Sequence, residues 1–281
     1  MPKLDGSSPF GLTLDGRQDF RGVFYVSPMG EYLYRFEDLS IQDTDFSGGN
    51  FQYLGVERCT FRNCLFDCAI MSGWRVHLSK FENCSFKKAD MRQSSIGFGG
   101  TEFSSCSFDA ARLARIGFTY VVFNDIDFDG RDWSHVLFET SGFWNCRFIG
   151  HFKDSRFLAN YLYEDQRVEY GNPDHTGFHN VDLSQAEIEM WGFLKGWVFD
   201  DVRLPKSGTA FLCKVRLLLE FGTKFTEDNE FGRILWRYLK IFATDSISNA
   251  TILVSKHDLT SFGDVDTGAQ IYELMKTQLA R

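Results

Sequence analysis

The chain has 281 residues with 30 Lys and Arg against 38 Asp and Glu, a formal net charge of −8. That balance argues against a general binder of nucleic acid, which gains its affinity by neutralising phosphates. The length suits one elongated domain, or one domain with an appendage. Composition is otherwise ordinary except for 30 Phe, several times the usual share. The opening stretch Met1–Phe10 has no apolar core of signal-peptide length, and no run is long enough to span a bilayer, so we expect a cytoplasmic protein without a membrane partner. Seven Cys, an odd number at spacings other than Cys-x-x-Cys, fit reduced thiols better than a disulfide framework.

Residues 1–35 read as an N-terminal cap. Val23–Val26 and Tyr32–Phe36 flank Ser27-Pro28-Met29-Gly30, which predicts a hairpin covering an open end.

From residue 36 a large apolar side chain returns every fifth position: Phe36, Ile41, Phe46, Phe51, Val56, Phe61 and onward to Ile96. After a slip of two residues the rhythm resumes at Phe103 and runs to Phe148; it returns at Phe178, Leu183, Ile188, Phe193 and Val198. Two positions before each of these the residue is usually small or β-branched, as at Cys59, Cys64, Ala69, Ser79, Cys84 and Ala89. A period of five is neither helical nor that of an ordinary strand. It describes a chain that turns a corner every five residues and sends two side chains inward on each side.

Segments such as Cys59-Thr60-Phe61-Arg62-Asn63, Cys84-Ser85-Phe86-Lys87-Lys88 and Ala89-Asp90-Met91-Arg92-Gln93 resemble the pentapeptide-repeat family over roughly residues 36–204. The resemblance implies an all-β solenoid, a right-handed quadrilateral β-helix with four units per coil. Vertical neighbours should then match in size. Phe61, Phe81, Phe103, Phe123 and Phe143 form one such column, and Phe66, Phe86, Phe108, Phe128 and Phe148 a second. Met71, Met91, Leu113 and Trp133 make a third, and Val56, Val76, Ile96, Phe118 and Phe138 a fourth. Coils spaced about 4.8 Å apart let successive rings stack.

Two places break the rhythm. Near 97–100, Gly97-Phe98-Gly99-Gly100 inserts two residues at a corner. Near 158–175 the repeat gives way to an acidic, Tyr-rich stretch, read as a side loop available to a partner through Tyr163, Glu164, Asp165, Glu169, Tyr170 and Asp174. Residues 158–204 hold 3 basic against 9 acidic residues, whereas 36–157 hold 13 against 16.

Past Leu204-Pro205 the period of five stops, and residues 205–281 read as a C-terminal helical segment. Phe211, Leu212, Val215, Leu218 and Leu219 share one helical face; Phe231, Ile234, Leu235, Tyr238 and Phe242 share another, after an N-cap-like Thr226. A third helix is expected from Thr267 to about Leu279. Such helices could form a subdomain or join two copies as a homodimer.

No phosphate loop, nucleophile elbow or metalloprotease motif occurs. His175 and His179 lie four apart but not on a helix, and a Cys column suits packing better than metal. No cofactor, metal or catalytic centre is expected, and the reading is of a non-enzymatic protein-interaction protein. The family resemblance implies a DNA-mimicking rod that contacts a type II topoisomerase (DNA gyrase), inhibiting it or protecting it from a poison. The alternative is a rigid scaffold that displays its tail or acidic loop to another protein.

Overall fold

A chain that turns a corner every five residues needs a left-handed backbone residue at each corner, and the corners show it. Asp43, Arg58, Asn63, Asn83, Gln93, Asp125 and Asn145 all have φ near +50°. Asn and Asp occupy that region most readily among residues with a Cβ. The computed structural model describes residues 10–29, 31, 34–129, 133–159, 176–189, 191–194, 197–240 and 251–280. Between corners lie very short strands, such as Arg75–His77 and Lys80–Glu82, paired in parallel with the coils before and after. The stack makes about seven coils.

The register carries the four expected columns. Phe61 pairs with Phe81, Phe81 with Phe103, Phe103 with Phe123 and Phe123 with Phe143. Their rings stack at 4.7–5.6 Å, nearly parallel. The neighbouring column Phe66, Phe86, Phe108 and Phe128 does the same. Rings of adjacent columns meet edge to face, as Phe61 and Phe66 do at 5.6 Å and 72°. The interior is therefore filled by one continuous cluster of rings, each pair contributing about 0.5–1.5 kcal/mol beyond area burial.

The small inward residues do a second job: they tie coil to coil. Ser79 Oγ accepts from the Cys59 N–H at 3.1 Å, and Ser94 Oγ from the Trp74 N–H at 3.0 Å. Cys84 and Cys106 donate their thiols to the Phe61 and Phe81 carbonyls of the preceding coil. Trp74 stands at one of these positions, fully buried, with Nε1 donating to the Phe51 carbonyl at 2.7 Å.

Several expectations give way. Among the described residues of 23–36 the two arms of the expected hairpin pair with the next coil and not with each other. Phe24 bridges Asn50 in parallel and Gln18–Asp19 pairs with Thr44–Asp45 in parallel, so the segment forms a further partial coil. Phe20 and Tyr25 extend two of the ring columns. At the other end Val198 points outward at 45% exposure, and Trp197 takes the interior. Phe199, one place later, pairs with Phe178. The insertion at Gly97 is a bulge: Thr119 pairs with Gly97 and Val121 with Thr101, leaving the residues between to loop out. Gly97 has φ +128°, and a Cβ there would lie 1.7 Å from the Thr119 carbonyl oxygen.

The tail differs most. Phe211 and Leu212 are not helical: Ala210–Lys214 is a strand, antiparallel to Thr251–Ser255. Among the described residues four helices accompany this ribbon, α1 (Val215–Gly222), α2 (Glu230–Lys240), α3 (Lys256–Thr260) and α4 (Val265–Leu279). The side chain at the start of α2 is Asn229, accepting from the Gly232 N–H at 2.8 Å, and not Thr226. Phe242 lies outside the described residues. The ribbon's alternation gives it two partners. Phe211, Cys213, Ile252 and Val254 join the helices in a second core, while Ala210 and Leu253 join the core of the rod. The tail is thus a small α/β subdomain set on the rod through a two-stranded layer.

Candidate protein-interaction surfaces

With the interior filled, chemistry and recognition fall to the outside of the rod. The corners and walls carry ladders between neighbouring coils. Asn83 Nδ2 donates to Asn63 Oδ1 at 2.7 Å, and Asn63 in turn to Asp43 at 3.1 Å. Higher on the same corner Asn180 donates to Asn145 and Asn145 to Asp125.

Charged ladders run beside them with alternating sign. Arg62 meets Glu82 at 2.6 Å, Lys80 meets Glu102 at 3.0 Å and Lys87 meets Asp109 at 3.0 Å, each pair joining successive coils. One column reads Asp127, Arg147, Asp182, Arg203 in register, with Arg147 paired to Asp127 and Arg203 within 3.8 Å of Asp182. Near the first full coil, Arg58 gathers Glu37, Asp38 and Glu57. The partners tune one another. Arg62 holds the Glu82 carboxyl below the usual carboxylate range, and Arg58 does the same for Asp38.

The thiols are tuned the other way. Hydrogen bonding from Cys106 and burial push Cys84 up to about 12, and burial takes Cys146 to about 12. A thiol held protonated inside the rod is a packing group and not a nucleophile. All seven cysteines are free, and Cys68 alone among them is exposed. His179 stacks on Trp144 at 4.7 Å and lies 3.7 Å from Asp200, while His175 is outside the described residues. Among the described residues no three His, Cys, Asp or Glu side chains gather to hold a metal ion.

A shallow groove of about 300 Å³ crosses the Asn corner, lined by Asp127, Asn145, Arg147, Asn180, Asp182 and Arg203. It is open and polar, without the dry walls that separate the pKa values of a catalytic pair. The two breaks in rhythm share one corner of the square. Gly97–Gly100 lies between Ile96 and Phe103, and the long interruption lies between Phe157 and Phe178, which occupy the same two columns. The stacking of the two breaks shows only in the register. Tyr163, Glu164, Asp165, Glu169, Tyr170 and Asp174 lie outside the described residues. Leu78, Phe98 and Tyr120 hold positive φ along this corner, and Leu78 is exposed.

Coils of twenty residues, five to a side, with a large and a small residue inward on each side, decide the fold. The chain is a pentapeptide-repeat β-helix. Solved pentapeptide-repeat structures superpose on it loosely. HetL, a pentapeptide-repeat protein involved in heterocyst differentiation regulation from the cyanobacterium Nostoc sp. strain PCC 7120, shares 12% identity at a TM-score of 0.39, covering 68% of this chain and 93% of its own. Full-length QnrB1, a plasmid-mediated fluoroquinolone resistance protein, shares 16% identity at a TM-score of 0.21, covering 67% of this chain and 92% of its own. No protein-family model matches the chain, and no curated protein matches it. No helix among the described residues is long and apolar enough to cross a membrane.

Proposed function

We propose that the protein is a non-enzymatic protein-interaction protein, a rigid rod that holds outer surfaces and a C-terminal subdomain in fixed relation for a protein partner. The observation that carries this reading is the filled interior: among the described residues, inward positions along the coils are taken by stacked rings, aliphatic side chains and small residues, several of which bond the next coil. Loops and ends on a rigid scaffold are where recognition resides. The stretch 163–174 and the subdomain are the surfaces we assign to the partner. Immobilised full-length protein should retain a specific partner from extracts of its host, and a variant lacking residues 163–174 or the subdomain should lose it. Equal retention by both variants would place recognition on the walls instead.

The finer reading, occupancy of the DNA-binding saddle of a type II topoisomerase such as DNA gyrase, draws on the rod shape and the net charge of −8. Wall chemistry favours the display reading over it. A DNA-like field needs one sign along a face, and at several wall positions opposite charges pair between successive coils. A gyrase supercoiling assay with and without a quinolone separates the two.

A further inference from the structure

One acidic side chain joins the rod to the subdomain. Glu189 ends the long strand Gly177–Glu189 in the last full coil, and its carboxylate is only 17% exposed. From the neighbouring strand of the rod, Lys153 Nζ approaches Oε1 at 2.7 Å and His151 Nε2 approaches Oε2 at 2.9 Å. From the first turn of α3 in the subdomain, His257 Nε2 reaches Oε1 at 3.2 Å. The other charged groups nearby are engaged elsewhere. Asp154 faces His135 at 3.5 Å and Lys256 turns to Glu273 at 3.9 Å, while Glu187 is exposed and Asp258 lies one residue beyond His257 with its backbone N–H donating to Ser255 Oγ.

The rest of the junction is thin and apolar. Ala210 and Leu253 reach the core of the rod, with Leu204 and Leu212 partly buried beside them. The connection passes through Gly208, at φ +66°, whose carbonyl accepts from Tyr272 at 2.9 Å and Lys276 at 2.7 Å, both on α4. That turn therefore belongs to the subdomain, which has its own core and can move as one body.

We infer that Glu189 is a latch: its carboxylate fastens the subdomain to the end of the rod, and loss of its charge frees the subdomain as a folded unit. Freeing it uncovers the apolar face of the ribbon, Ala210, Leu212 and Leu253, which docking otherwise hides. Such a face is suited to a protein partner and hidden until the latch opens. Lys153 and the histidines hold the Glu189 carboxyl below its usual range. The sign follows: a depressed carboxyl supports docking above the ordinary glutamate value and loses that support as pH falls through the lowered one.

Hydrogen exchange on the full-length Glu189→Gln variant tests this. Amides of Ala210–Lys214 and of α3 should exchange roughly tenfold faster than in the wild type. The ring-stacked coils and α4 should keep their protection. Acidification should lower the protection factors of the same amides in the wild type, once the slower intrinsic exchange at low pH is divided out, and leave those of the variant unchanged. Unchanged exchange at the ribbon would overturn the latch. So would faster exchange throughout α1, α2 and α4, which would mean that Glu189 stabilises the subdomain itself and not its docking. Glu187→Gln, one exposed position away on the same wall, should behave as the wild type; a matching acceleration there would reduce the effect to general charge and also overturn the assignment.

Discussion

Phe128 has 0% exposure and stacks between Phe108 and Phe148, with Trp133 and Phe143 against its edges. Replacing it by Ala should cost about 3–5 kcal/mol in chemical denaturation, because stacked neighbours on both sides prevent collapse into the cavity. Gly97→Ala should be destabilising for a different reason: the new Cβ meets a backbone carbonyl that cannot move aside. Thiol labelling gives a third residue-level check. A maleimide at neutral pH should modify Cys68 in the native protein and reach the other six only on unfolding. The inward residues were legible in the sequence because the period of five repeats over many coils, so one weak unit such as Val76 is fixed by those above and below. Val198 was misplaced because no further coil follows to hold the phase, and the structure turns Trp197 inward instead. Trp74 went unmarked because the small inward position is occupied elsewhere by Ser, Cys or Ala, and nothing local says that one coil has room for an indole.

At the scale of elements, the ladders bind each coil to the next through exposed side chains. An ion pair such as Arg62–Glu82 is half in water, where solvent screens it. Its loss in Glu82→Gln should scarcely move the melting temperature, whereas the ring columns carry the cooperativity. The interruption between Phe157 and Phe178 sits on a corner with Phe143 and Phe193 already in register around it. Deleting residues 163–174 should leave the circular dichroism and melting of the rod unchanged; loss of folding would mean that those residues complete a coil. The tail ribbon was invisible in the sequence for a physical reason. Ala210, Phe211, Leu212 and Cys213 are apolar on both faces because the strand lies between two cores, and a short continuous apolar run has no period to distinguish strand from helix. The amphipathic helices were legible; α4 begins at Val265 behind Asp264, two residues before the expected Thr267.

For the whole molecule, the net charge of −8 suggested more than the geometry delivers. Acidic residues are common on the walls, but lysines and arginines stand opposite many of them one coil away. A sum over the chain cannot distinguish alternating ladders from one acidic face; only the register of twenty residues does. The architecture was therefore legible and the field around it was not. The measurement that tests the proposed function most directly is DNA gyrase supercoiling with the purified protein titrated in, with and without a quinolone. A rod whose wall carboxylates are met at several positions by cations one coil away, acting through residues 163–174 and the subdomain on another partner, predicts unchanged supercoiling and unchanged drug sensitivity at every excess of protein. Inhibition, or protection from the quinolone, that competes with DNA would contradict the display reading and establish the rod as a DNA mimic in spite of its ladders.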